Sequence, residues 1–231
     1  MEEIMGRLAV LGTFFAVDCG PVPEARGFRP VAELYGPGLD ALVDRVGARL
    51  GTGPDRIAAS TAQFGIAARL WSLALGPAVL AGTVPDLGPE RVWWRQPAGG
   101  SLEFALPDPR PVPGRPAEVL DRVVSENLGL LDAEVRARYG VSPKVLRGNA
   151  SSSVAAALTQ LGSRFPDAPH SPAELGTALL TDGPFAGTGT FVHEPGLGSA
   201  YVRNSCCLYY RAPGGGPCGD CVLRTRRAAR A

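Results

Sequence analysis

A group of cysteines near the C-terminal end constrains this chain of 231 residues most strongly. Four of the five cysteines have the spacing Cys-Cys, ten residues, Cys-x-x-Cys, at positions Cys206, Cys207, Cys218 and Cys221. The cysteine total is odd, and the apolar stretch 8–17 follows two glutamates instead of the basic residues of an export signal. A disulfide framework is therefore disfavoured, and we expect a cytoplasmic protein whose thiolates bind a metal centre.

Two kinds of metal centre suit four thiolates. Zinc is one, because Cys218-Gly219-Asp220-Cys221 has the ligand separation of a zinc half-site. The adjacent pair Cys206-Cys207 suits zinc less well, because the ligands of a half-site are usually separated by about two to four residues. An iron–sulfur cluster accepts more varied spacings, and the glycines at 214–216 would let backbone N–H groups approach its sulfur atoms. The spacing favours a cluster and leaves a zinc site open.

Two runs of residues carry a family resemblance: Ser205-Cys206-Cys207-Leu208-Tyr209-Tyr210-Arg211 and Cys218-Gly219-Asp220-Cys221. Together they resemble the C-terminal signature of the FhuF-type ferric-siderophore reductases. Upstream, Arg69-Leu70-Trp71-Ser72 and Gly148-Asn149-Ala150-Ser151-Ser152 are similar to two further segments of that family. Arg147 stands where the family often has a tryptophan. The resemblance implies a [2Fe–2S] cluster bound by the four cysteines, with no catalytic residue beyond the cluster.

The same resemblance implies one-electron reduction of ferric siderophores, with release of ferrous iron in the cytoplasm. The hydroxamate type of siderophore is favoured. An external donor, such as a ferredoxin or a flavoprotein reductase, must supply electrons, because the sequence contains no dinucleotide-binding glycine motif. We expect four residues to contact the substrate or the donor: Tyr210, Arg211, Asn149 and Arg203. Two alternatives stay open, namely a zinc-stabilised, non-enzymatic binding module and a siderophore-binding or sensor protein without reductase turnover.

Charge and hydropathy exclude other classes of partner. The net charge of +1 indicates neither nucleic-acid binding nor a membrane surface. The apolar run 66–84 is interrupted by Arg69 and Gly76-Pro77, which favours a core helix over stable membrane insertion. Arginine is nevertheless concentrated in 201–231, and we expect this basic segment to dock an acidic donor or an anionic siderophore.

Hydrophobic periodicity predicts an α+β fold that is mainly helical, with a short β-hairpin and a loop-rich C-terminal iron–sulfur segment. Prolines concentrated in 107–116 suggest a boundary, so we divide the chain into a helical region with a hairpin (1–113), a second helical region (114–200) and the cluster-binding segment (201–231). The predicted elements are helices over 39–50 and 54–75, strands over 91–96 and 101–106, a helix from 119 that breaks near Gly129, helices after Ser142 and Ser171, and a loop with at most one strand over 183–202.

Overall fold

The computed structural model describes residues 1–21, 24–194 and 198–223. Helices make up 55% of the structure, and the strands are few and short, so the predicted α+β, mainly helical class is confirmed. The helices are α1 (Glu2–Leu8), α2 (Val31–Leu34), α3 (Pro37–Leu50), α4 (Arg56–Ala81), α5 (Pro116–Tyr139), α6 (Pro143–Arg164) and α7 (Pro172–Gly176). The strands are β1 (Arg29–Pro30), β2 (Val84–Pro85), β3 (Trp93–Arg95), β4 (Glu103–Ala105), β5 (Pro111–Val112), β6 (Gly189–Glu194) and β7 (Gly198–Arg203).

Helix α4 lies at the centre of the fold and packs against α1, α3, α5 and α6. Asp55 caps its N-terminus by accepting hydrogen bonds from the backbone N–H groups of Ile57 and Ala58. By length and composition α4 could span a membrane, but 78% of its most apolar stretch is buried inside the protein, as in a core helix. The sequence predicts that the helix stops or kinks at Gly76-Pro77. It continues to Ala81, because burial of its last turn outweighs the hydrogen bond that proline removes.

Helix α5 is likewise longer than predicted and passes through Gly129 without a break. Gly129 lies on the exposed face, while Leu128 and Leu131 on either side of it are buried in the core. A glycine in an exposed helix position costs only about 1 kcal/mol relative to alanine. Burial of the apolar residues on the other face therefore keeps the chain helical at this position. Helix α6 begins as predicted, with the Ser142 hydroxyl accepting a hydrogen bond from the backbone N–H of Val145.

The predicted hairpin is present, since β3 pairs with β4 in antiparallel register, and β1 adds a third strand beside β3. The prediction of a loop over 183–202 is wrong, because β6 and β7 form an antiparallel hairpin there. Gly189 in β6 leaves the space that the ring of Tyr201 in β7 occupies. Strand β7 ends at Arg203, so the first cysteine pair follows directly after this hairpin.

A single hydrophobic core receives residues from both sides of the proline-rich segment 107–116, from Met5 to Tyr201. Strand β5 lies inside this proline-rich segment and pairs with β2, so the segment itself is part of the fold. The first two sequence regions therefore pack on one another, and the segment from Arg203 onward lies against their helices. The division into three regions stays a prediction about the chain.

Candidate metal centre

The backbone folds the cysteine segment into a closed loop. The N–H of Arg203 donates to the carbonyl of Asp220 at 3.1 Å, which joins the two ends of the loop. Between them, Leu208 adopts a left-handed conformation with φ of 72°, which is unfavourable for a residue with a side chain. The N–H of Leu208 donates to the sulfur of Cys206, at 3.3 Å. The strained residue therefore lies beside the first cysteine pair.

Two of the four cysteine sulfur atoms lie close together. The Sγ atoms of Cys207 and Cys218 are 3.6 Å apart. Cys207 and Cys221 are buried, whereas Cys206 and Cys218 are partly exposed. The N–H of Leu223 donates to the sulfur of Cys221 at 3.4 Å. Backbone N–H groups directed at cysteine sulfur are a common feature of iron–sulfur sites, where they stabilise negative charge.

The thiols perturb one another strongly. The pKa of Cys207 is lowered by its hydrogen bond with Cys218, and the N–H of Tyr209 and the Arg203 guanidinium lower it further. The same hydrogen bond raises the pKa of Cys218. Burial raises the pKa of Cys206, and the nearby thiolate charges of Cys207 and Cys221 add to this effect. Thiolates as close as Cys207 and Cys218 repel each other, so a cationic centre is needed to hold both deprotonated.

The four thiol donors lie in one short segment of the chain. The 3.6 Å separation of Cys207 and Cys218 resembles the roughly 3.8 Å expected for two thiolates on one tetrahedral ion with bonds of about 2.3 Å. Nevertheless, over 1–21, 24–194 and 198–223, no three Cys, His, Asp or Glu side chains are grouped to hold one metal ion. By the chemistry of its donors, the segment fits an iron–sulfur core as well as a zinc ion.

Asn149 and Arg203, both expected to contact substrate or partner, are fully buried. The Oδ1 atom of Asn149 accepts a hydrogen bond from Nη2 of Arg203 at 2.7 Å. Its Nδ2 atom donates to the carbonyl of Ser60 at 3.1 Å and to Oε1 of Gln63 at 3.0 Å. The Ser60 hydroxyl in turn donates to the carbonyl of Cys207 at 2.9 Å. Direct contact with a siderophore or a donor protein is therefore not supported for either residue, and both connect the cysteine segment to α4 and α6.

Helix α6 presents a surface of small residues to the cysteine segment. A Cβ atom on Gly148 would collide with Oγ of Ser205 and would lie 3.0 Å from Nη2 of Arg203. One turn later the Ser152 hydroxyl donates to the carboxylate of Asp220, which lies between the last two cysteines. The cysteine segment thus packs on the run from Gly148 to Ser152, and the polar side chains of this run form hydrogen bonds within the protein.

Tyr210 and Arg211 lie on the surface, in a single helical turn between the two cysteine pairs. The Nε atom of Arg211 donates to the hydroxyl of Tyr210 at 2.9 Å, and the guanidinium lies 5.5 Å from the centre of the same ring. Tyr209 and Tyr210 are each 39% exposed. These residues can meet a ligand or a partner. The arginines of the expected basic segment at 224, 226, 227 and 230 lie outside the described residues.

The sequence analysis missed Ser60, Gln63 and Asp132. The amide Nε2 of Gln63 donates to Oδ1 of Asp132 at 2.9 Å, and burial raises the pKa of that carboxyl to about 6. The sequence feature that could have identified two of them is the presence of the polar residues Ser60 and Gln63 within an otherwise apolar helix. Buried polar side chains in such a helix need partners, and here the partners include the cysteine segment.

Residues 203–223 match the family model described as the FhuF 2Fe-2S C-terminal domain. The matched range contains all four cysteines. The search of the curated proteins finds no match to the chain. The predicted FhuF-type signature and the [2Fe–2S] cofactor are confirmed by the family model, and the domain indicates an iron–sulfur function of the ferric-siderophore reductase type.

Proposed function

Because residues 203–223 are a FhuF-type [2Fe–2S] domain, we propose that this protein reduces ferric siderophores in the cytoplasm by single electrons and releases ferrous iron. The observation that supports this most is the position of the four cysteines. Two of them are buried against a helical core, and two reach toward the surface beside exposed tyrosines. A one-electron carrier held in this way has an open side for a bulky substrate and a protected side within the protein.

We assign Cys206, Cys207, Cys218 and Cys221 as the ligands of the cluster. A bound [2Fe–2S] cluster supplies one electron at a time, at a potential set by hydrogen bonds, charge and exposure. The N–H groups of Leu208 and Leu223 hold the sulfur atoms of Cys206 and Cys221 in place. The protein thus contributes binding, orientation and electrostatics.

The substrate chemistry follows from the donor atoms of siderophores. Hydroxamate and similar oxygen donors are hard ligands, and they hold ferric iron far more tightly than ferrous iron. When the substrate ferric ion gains one electron, its chelate weakens and competing ligands can remove the ferrous ion. A ferredoxin or a flavoprotein reductase then has to return one electron for each iron released. Exposed Arg211 and Tyr210 can contact an anionic chelate or an acidic donor on the open side of the site.

The test is anaerobic turnover with excess dithionite, a ferric hydroxamate siderophore and a chromogenic chelator that traps ferrous iron. We expect the wild-type protein to release ferrous iron well above the rate with dithionite alone, and Cys218→Ser to fall to that background. Cys19→Ser is the matched control, because Cys19 lies outside the cysteine segment. Metal and sulfide analysis accompanies the assay.

Three results would contradict the proposal in different ways. A colourless protein that contains zinc would support a zinc-stabilised binding module. A protein that contains the cluster and binds the siderophore but releases no iron would support a carrier or sensor. Equal activity in wild type and Cys218→Ser would show that iron release does not depend on the site.

A further inference from the structure

Arg203 is a buried cation with no carboxylate partner among the residues that the structure describes. It is 0% exposed, and it ends β7 three residues before the first cysteine. Only Nη2 of its guanidinium is hydrogen bonded, to Asn149 Oδ1 at 2.7 Å and more weakly to Ser205 Oγ and the Val145 carbonyl, both at 3.4 Å. Nε and Nη1 are buried and have no acceptor within 1–21, 24–194 and 198–223.

Such an arrangement is costly unless an anion lies nearby. Burial of a guanidinium is costly because its charge and its N–H donors lose their contact with water. A buried charge needs both a counter-charge and acceptors for its N–H groups. The hydrogen bonds of Arg203 lead to the first cysteine pair: Nη2 contacts Ser205, the neighbour of Cys206, and Asn149 and Ser60 connect it to the carbonyl of Cys207. We therefore take the thiolates of the metal centre as the anions that offset this guanidinium.

A bound [2Fe–2S] cofactor would add negative charge that offsets the charge of Arg203. In an oxidised [2Fe–2S] centre, four thiolates and two sulfides outweigh two ferric ions, so the centre is an anion. One added electron makes it more negative. A fixed cation in a poorly solvated position favours the reduced state over the oxidised state, because its field is little screened by water.

We propose that Arg203 is the internal counter-ion of the iron–sulfur cluster and that it raises the reduction potential of the cluster. It is a positioning residue that acts through charge. The inference requires the cluster but not siderophore reduction, so a failure of the proposed substrate would leave it unaffected.

A closed network fixes Arg203 relative to the cysteines. Arg203 is hydrogen bonded to Asn149, Asn149 to Ser60, and Ser60 to the carbonyl of Cys207. Because Asn149 and Ser60 are buried on two packed helices, the distance between the cation and the cluster ligands cannot change freely. Gly148 permits this contact, since any side chain there would displace Ser205 and Arg203. The cation is thus preorganised for its effect on the potential.

The experiment is an anaerobic redox titration of the purified holoprotein against mediator dyes, followed by visible absorbance. Arg203→Met removes the charge and keeps an unbranched side chain, and Arg203→Lys keeps the charge. Arg164→Met is the matched control, because it removes a positive charge from helix α6, about 24 Å along the helix axis from Gly148, which contacts Arg203. We expect Arg203→Met to lower the reduction potential by at least ~59 mV. At a fixed potential this corresponds to a roughly tenfold lower ratio of reduced to oxidised protein. We expect Arg203→Lys to retain most of the potential and Arg164→Met to leave it unchanged.

Asn149→Asp keeps the experiment decisive if Arg203→Met fails to hold the cluster. This variant keeps Arg203 but puts a carboxylate against its Nη2, which neutralises the cation in place, and we expect it to lower the potential as well. Equal potentials in wild type, Arg203→Met and Asn149→Asp would overturn the proposal. So would equal shifts in Arg203→Met and Arg164→Met. Loss of the cluster from Arg203→Met, Arg203→Lys and Asn149→Asp alike, with folded apoprotein by circular dichroism, would show a role in assembly and would also overturn it.

Discussion

Gly148→Ala tests whether the cysteine segment is seated on helix α6 as described. Gly148 lies in the interior of the helix, so alanine gains about 1 kcal/mol of intrinsic helix stability. Against this, the new Cβ would collide with Ser205 Oγ and would lie 3.0 Å from Nη2 of Arg203. Both neighbours are buried, so neither can rotate into solvent. Overpacking of this kind costs about 1–3 kcal/mol. We expect a net loss of about 1 kcal/mol.

Gly129→Ala is the matched control, because Gly129 lies within α5 and has nothing within 4 Å of the position its Cβ would take. This variant should keep the gain of about 1 kcal/mol in full. The two glycine-to-alanine changes should therefore differ by about 2 kcal/mol, which corresponds to roughly 4–8 °C in melting temperature for a protein of this size.

The assay is thermal unfolding of the holoprotein under nitrogen at a fixed scan rate, followed by circular dichroism, with iron content determined beforehand. We expect Gly148→Ala to melt below wild type and to contain less iron, and Gly129→Ala to melt above wild type with full iron. If Gly148→Ala matched Gly129→Ala in both melting temperature and iron content, the cysteine segment could not pack on α6 at this position.

Three further predictions concern other parts of the same network. Burial raises the pKa of Asp132 to about 6, so the folded state binds a proton that the unfolded state releases, and stability falls as the pH rises from about 4 to 6 and beyond. The stability of Asp132→Asn relative to wild type should therefore increase by about 1 kcal/mol between pH 5 and pH 8 in denaturant titrations, and a constant difference would contradict the buried carboxyl. Ser152→Ala removes the hydroxyl that donates to Asp220, so iron should be lost to a chelator several-fold faster than from wild type. Arg211→Ala should reduce the rate of electron uptake from an acidic ferredoxin and weaken its salt dependence, and a rate that is unchanged at low ionic strength would argue against docking at this surface.

The [2Fe–2S] domain could be predicted from sequence because its four cysteines lie within one short segment. The spacing of Cys206, Cys207, Cys218 and Cys221 is visible in the sequence, and thiolate chemistry restricts what such a group can bind. The helices were predictable for a similar reason, since apolar periodicity is a local property. The ends of α4 and α5 were not, because the packing of distant residues outweighs the local preferences of Pro77 and Gly129.

The β6–β7 hairpin and the role of Arg203 depend on non-local contacts that the sequence does not display. Strand pairing in a glycine-rich stretch has no strong alternation of apolar residues to identify it. Arginine is rarely buried fully, so exposure is the ordinary expectation for Arg203. Its burial follows only once α4 and α6 bring Ser60 and Asn149 together beneath the cysteine segment. The contact of Gly148 with Ser205 and Arg203 depends on the same packing.

A single-turnover experiment with two matched chelates tests the proposed function most directly. The holoprotein is reduced anaerobically with one equivalent of electrons and is then mixed rapidly with a ferric hydroxamate siderophore or with its gallium(III) complex. The gallium complex has the same charge and a similar shape, but its metal ion accepts no electron under these conditions. We predict that the visible absorbance of the oxidised protein returns only with the ferric chelate, with one trapped ferrous ion for each electron. If the protein stayed reduced with both chelates, or reoxidised without release of ferrous iron, one-electron reduction of ferric siderophores would be contradicted.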